Sequence, residues 1–239
     1  MKKPGKATVG RWAGMILLSV TMVLSLHSLD RGKVGVERQE RLYFPSGRFL
    51  EEASLGFREA AADYLWFRFI QYYGAFAKGH NDLRYFDLLI GSITRLDPRF
   101  AEAYHLASLI RLSDFGDLSA SLDLLKRGIH HNQDVAKLKF QVGFIYHVFT
   151  KDYLRAAFWF EEAGRCSDAS DRERRFAAFA RYRGGDDEVS LELWKMLWSS
   201  TESPQMKELA EKMIAKLEYQ IQNPVGDYEN LIGPPLELQ

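Results

Sequence analysis

The sequence predicts an all-α protein, a solenoid of helix-turn-helix repeats behind an N-terminal transmembrane or signal-anchor helix. Three observations predict it. Small residues recur 35 positions apart in two stretches, Ser108 with Gly143, Ser121 with Ala156 and Gly128 with Ala163. Eighteen consecutive residues near the start carry no charge. Only 7 Pro and 18 Gly accompany 13% aromatic residues, too few turn-formers for a β-rich fold and too many rings for a disordered chain.

Residues 1–30 read as a signal anchor. Lys2, Lys3, Lys6 and Arg11 precede the uncharged run Trp12–Leu29 without a single acid. As a helix at 1.5 Å per residue the run reaches about 27 Å, close to the roughly 30 Å of a hydrocarbon core. The best small-residue cleavage site, Val23-Leu24-Ser25, is poor, and the segment has no Cys for a lipid anchor. An uncleaved, single-pass anchor is expected; the alternative is a cleaved, periplasmic protein. Arg31, Lys33, Arg38 and Arg41 match the basic residues on the near side, so the short acid-free tail sets the orientation, N-terminus in and the rest extracytoplasmic. The location is then the cytoplasmic membrane.

Residues 31–53 show no sustained period and read as a linker and lead-in. Residues 54–222 are periodic. In "DYLWFRFIQYYGAF", residues 63–76, Leu65, Trp66, Phe69, Tyr73 and Phe76 fall at three-and-four spacing, which predicts a helix burying that stripe. "AEAYHLASLIRLSDFGDLSASLDLLKRGI" from Ala101 and "VAKLKFQVGFIYHVFTKDYLRAAFWFEEAG" from Val135 carry the aligned small residues, where paired helices approach closely. Ala177, Ser190 and Trp194 lie 34 residues beyond Gly143, Ala156 and Phe160. The segment "QMKELAEKMIAKLEYQIQ" reads as a polar capping helix, and 223–239 as an extended tail.

These motifs resemble the tetratricopeptide repeat (TPR) family, a 34-residue helix-turn-helix unit with small residues at its eighth, twentieth and twenty-seventh positions and often Pro at the thirty-second. The 135–168 unit matches at Gly143, Tyr146, Ala156, Phe160 and Ala163, with one extra residue between helices. The 67–100 unit places Gly74 at the eighth position and Pro98 at the thirty-second, but has Phe86 and Ile93 where small residues belong. The resemblance covers about residues 67–222.

The resemblance implies an extended concave surface built from the first helix of each unit. Its second, fifth, ninth and twelfth positions give a partner-binding groove of Arg68, Gln71, Lys78, His105, Leu109, Lys137, Phe140, Phe144, His147, Arg174 and Arg181. That set is basic with an apolar floor, offset only by Glu102 at the rim, so an acidic protein segment with an aliphatic or aromatic anchor would suit it. The ninth positions read Ala75, Leu109, Phe144 and Ala178, where the carboxylate-clamp subclass has Asn, so a free C-terminal carboxylate is not the expected ligand.

No catalytic function is expected. There is no Gly-rich phosphate loop, HExxH, nucleophile elbow or Ser-His-Asp arrangement. His130 and His131 sit near a helix end and point about 100° apart, so neither a metal nor a cofactor is assigned. In "RERRFAAFARYRGG", residues 172–185, arginines interleave with rings, but flanking acids neutralise them, and net charge is zero; nucleic acid is not the expected partner. The single Cys166 can form no intramolecular disulfide. The function expected is a membrane-anchored scaffold or adaptor in a bacterial envelope assembly of the secretion, pilus or cytochrome-maturation type. The alternative is a self-associating structural protein of the envelope, a homo-oligomer.

Overall fold

The computed structural model describes residues 54–223, and Thr21 apart from them. The anchor and its cleavage site, the lead-in 31–53 and the tail beyond residue 223 lie outside the described residues. Among those described, no helix is long and apolar enough to cross a membrane.

The described residues are all-helical, without a strand. In chain order the α-helices are α1 (Arg58–Ala77), α2 (Phe86–Leu96), α3 (Ala101–Ser113), α4 (Leu118–His131), α5 (Ala136–Ile145), α6 (Tyr153–Gly164), α7 (Asp171–Arg183), α8 (Asp187–Ser200) and α9 (Pro204–Gln222). Packing is overwhelmingly between neighbours in sequence: α1 on α2, α3 on α4, α5 on α6, α7 on α8, α9 on α8, with each pair then meeting the next. This is the contact pattern of a helical repeat, in which each unit touches only its neighbours.

The turns inside the last three pairs share one construction. A residue with positive φ, Gly116 (65°), Lys151 (55°) or Gly185 (78°), stands immediately before Asp117, Asp152 or Asp186. Asp117 and Asp152 then cap the second helix, accepting from the Ala120 and Arg155 amides at 2.9 and 3.0 Å. The extra residue seen in the sequence is absorbed here. Asp117 and Asp152 donate their amides to carbonyls six residues back, Arg111 and Tyr146, whereas Asp186 reaches five back to Arg181. In α5 the surplus takes the form of a π-turn, Tyr146–Thr150.

The small positions are sites of close approach. A Cβ on Gly143 would stand 2.7 Å from the Phe160 ring, and one on Gly128 2.8 Å from the Tyr104 side chain. Ser108, Ser121, Ala156, Ala163, Ala177 and Ser190 are buried. Two of them add a bond across the pair: Ser121 Oγ donates to the Ser108 carbonyl at 2.7 Å and Ser190 Oγ to the Ala178 carbonyl at 2.9 Å.

The first pair departs from this register. α1 begins at Arg58 and runs through residue 67, where the unit was expected to start. Its core stripe is Ala62, Leu65, Phe69 and Tyr72, while Trp66, Tyr73 and Phe76 are half-buried along its edge. Gly74 faces open space, with nothing within 4 Å of where a Cβ would sit, so it is not a close-approach position. Phe86 and Ile93 are buried, and Phe69 meets Phe86 edge-on with ring centroids 5.9 Å apart. Rings fill the space that small residues close elsewhere, and the excess bulk displaces the crossing point from Gly74.

Successive units are also stitched loop to loop. Asn132 Nδ2 donates to the Pro98 carbonyl at 3.4 Å, Ser167 N–H to Asp134 Oδ1 at 2.8 Å, and Ala136 N–H to Asp168 Oδ1 at 2.8 Å. At the far end Ala210, Met213 and Leu217 of α9 cover Trp194 and Leu197 of α8. The outer side of α9 exposes Lys207, Glu208, Glu211 and Lys212, a polar cap.

Candidate partner-binding face

The first helices α3, α5 and α7 are linked side by side by their own side chains. Lys137 Nζ of α5 holds both carboxylate oxygens of Glu102 on α3, at 2.7 and 2.9 Å. One turn on, the Arg172 guanidinium of α7 lies 4.3 Å above the centroid of the Phe140 ring of α5. Arg172 is aimed there by Glu173, whose buried carboxylate takes its Nη2 at 2.5 Å while completing a capping box with Ser170. Cation–π contact and ion pair act together to fix the guanidinium.

Phe140 is the centre of an aromatic shelf. Phe144 lies 6.5 Å from it, and Phe160 and Phe176 each 5.1 Å, centroid to centroid. Phe140 and Phe144 are only partly buried, so one side of each supports the core and the other faces out. His105 adjoins the Lys137–Glu102 pair and Arg172. Burial lowers its pKa, Lys137 and Arg172 add to the effect, and Glu102 only partly opposes it, so the imidazole is neutral near pH 7. His147 ends the row, 5.2 Å from the Tyr153 ring and 6.2 Å from Phe160. Its pKa is lowered by burial and by Arg183, and its Nδ1 is buried without a hydrogen-bond partner.

Of the groove residues expected from the sequence, His105, Lys137, Phe140, Phe144 and His147 belong to this row, and half-buried Leu109 lies on α3 beside it. Arg68 and Gln71 lie on α1, and exposed Lys78 caps its C-terminus. None of these three has a hydrogen bond or ion pair to the row among the described residues. Arg174 and Arg181 lie apart from the row, on α7. Arg174 packs its Cγ 3.5 Å from where a Cβ of Gly164 would be, at the end of α6. Arg181 is held by Glu161 of α6 at 2.6 Å and by Asp186 at 2.9 Å. Arg174 is exposed and pairs with Asp171 at 3.4 Å on its own helix, while Ala178 packs on Trp194 of α8. Two residues back along a helix is about 200° around it, and that rotation brings Arg172 instead of Arg174 over Phe140.

Three of the cations on and beside the row have acidic partners. Glu102 neutralises Lys137, Glu173 neutralises Arg172, and Glu161 with Asp186 neutralise Arg181. What the face offers is apolar ring surface, one stacked guanidinium at its rim and two neutral imidazoles. Among the described residues no group of three His, Cys, Asp or Glu side chains is placed to hold a metal ion. The missed residue, Arg172, had a readable signal: it stands one turn before Phe176, the ring that meets Phe140. No family model matches the chain, and no curated protein is significantly similar to it.

Proposed function

We propose that the protein is a non-catalytic adaptor, a TPR-like array held at the cytoplasmic membrane by residues 12–29, that binds a segment of another protein in a bacterial envelope assembly. The observation carrying this reading is the half-exposed shelf of Phe140 and Phe144 with Arg172 stacked at its rim. Half-buried rings beside a fixed guanidinium are the groups that dominate protein–protein affinity. The fitting partner segment presents an aliphatic or aromatic side chain to the shelf and a carboxylate to Arg172, which would draw the guanidinium from Glu173.

Capture of partners by the tagged full-length chain from solubilised membranes tests this, with Arg172→Glu and Phe140→Ala alongside the wild type. A foreign protein recovered in stoichiometric amount, and lost with Arg172→Glu while the variant melts normally, supports the adaptor. Recovery indifferent to both substitutions refutes the face. A self-associating structural protein is the second reading, favoured by exposed Val148, Phe149, Leu154 and Phe158 at the α5–α6 turn. It predicts a discrete homo-oligomer in detergent that Phe158→Asp dissociates.

A further inference from the structure

The two ends of the array differ in kind. The outer side of α9 exposes mainly charged residues beside Tyr219, as suits a solvent-facing terminal helix, whereas the outer side of α1 carries a cluster of exposed apolar side chains. Tyr64, Phe67 and Ile70 are 61%, 59% and 41% exposed, and Phe57 just ahead of the helix is 75% exposed. Phe67 stands two residues from both Leu65 and Phe69, about 200° around the helix from each, so it points directly away from the core. Around it lie Ala60, Gln71 and Gly74, with exposed Asp63 beside it and exposed Arg58, Glu59 and Lys78 towards the two helix ends. Gly74 has nothing near it on this side. Among the described residues no helix lies over these rings.

We propose that this face of α1 is a membrane-contact surface, with Tyr64, Phe67 and Ile70 seated at the headgroup–acyl boundary of the bilayer that holds residues 12–29; the inference rests on the anchor reading. Position in the chain supports it. Only 25 residues separate Leu29 from Leu55, and a relaxed chain of that length spans about 28 Å. α1 is the first described helix after the anchor run. Composition supports it too, because Tyr and Phe on one side of a helix favour the interfacial zone, where a ring is buried and a hydroxyl stays wet. Size decides against a second copy as the cover. Three large side chains offer far less than the roughly 800 Å² per partner that a stable dimer needs, whereas a tethered face needs only a weak contact, its effective concentration being set by the tether.

The test uses the full-length chain in lipid vesicles with the photocrosslinker p-benzoylphenylalanine in place of Phe67, and, as a comparably exposed control on α8, in place of Met196. Irradiation should yield lipid adducts at position 67 several-fold above those at 196, and Tyr64→Ser should reduce them. Flotation of the same sample after alkaline washing reports the anchor separately. If the chain floats but position 67 labels lipid no better than 196, the anchor stands and the membrane face falls. If position 67 crosslinks instead to residues 31–53 or to a second copy, that segment or copy is the cover and the proposal is overturned. A chain that does not float removes the anchor reading and this inference together.

Discussion

Gly74 and Gly143 occupy the same position of two units in the sequence, yet the structure gives the substitution of each by Ala opposite signs. At Gly143 the new Cβ would lie 2.7 and 2.8 Å from two atoms of the Phe160 ring and 3.1 Å from the Ala156 carbonyl oxygen. Neither neighbour gives way readily. Phe160 is fully buried between Phe140 and Phe176, at 5.1 and 5.3 Å, and the Ala156 carbonyl is helix backbone. Overpacking of this kind costs about 1–3 kcal/mol, partly offset by the roughly 1 kcal/mol that Ala gains over Gly inside a helix. A net loss of up to about 2 kcal/mol follows. At Gly74 the helix gain stands alone, since nothing lies within 4 Å, and a stabilisation of about 0.5–1 kcal/mol follows. Urea unfolding of both variants of the full chain in one detergent, followed by helical circular dichroism, reads the difference. In a chain of this size each kcal/mol also moves the melting temperature by about 2–4 °C. Midpoints shifted in the same direction by both substitutions would refute the close-approach argument.

Three further outcomes are expected. Lys151 is the one non-glycine in the recurring positive-φ position before a capping Asp, so Lys151→Gly should stabilise by about 0.5–1 kcal/mol in the same urea assay, from left-handed strain of about 1–2 kcal/mol less the added entropy of glycine. Burial opposes ionisation of Glu173, but hydrogen bonds from Ser170 and Arg172 outweigh it and hold the carboxyl below the ordinary glutamate value of about 4.5. Its stabilising contribution is therefore present above that value and lost as pH falls through the depressed folded-state pKa; Glu173→Gln should flatten the fall in unfolding free energy below pH 4.5, and an unchanged acid limb would count against the assignment. Ser190→Ala removes a buried donor to the Ala178 carbonyl and should cost about 1 kcal/mol, with amide exchange rising first in α7 and α8.

The helical character and the three later pairs were legible because close approach demands a small side chain, and that demand leaves a mark at fixed intervals: Ser108, Gly143 and Ala177, then Ser121, Ala156 and Ser190. The first pair was misread where its packing uses rings. Phe86 and Ile93 fill the crossing, so Gly74 satisfied the pattern without having the role. The candidate face was legible on α3 and α5, where His105, Lys137 and Phe140 come together. It failed on α7, because a count of 34 residues fixes position along a helix far better than rotation about it. Burial of Ala178 against Trp194 within the α7–α8 pair and the Arg181–Glu161 pair between units set that rotation, and neither contact is displayed by a single stretch of sequence.

The uneven seams between units bear on how the array carries load. Between α6 and α7 the packing is the most extensive in the molecule, and the Ser167–Asp134 and Ala136–Asp168 bonds clasp the adjacent loops. Between α2 and α3 it is much sparser, and the loop there is joined to the next unit by the long Asn132–Pro98 bond. A one-dimensional stack transmits tension through its seams in series, so the weakest yields first. Force applied across the described helices is therefore expected to open the α2–α3 seam before the α6–α7 seam, with the Arg111–Asp87 ion pair and the Phe86–Phe115 and Trp66–Phe100 ring contacts the ties that resist it.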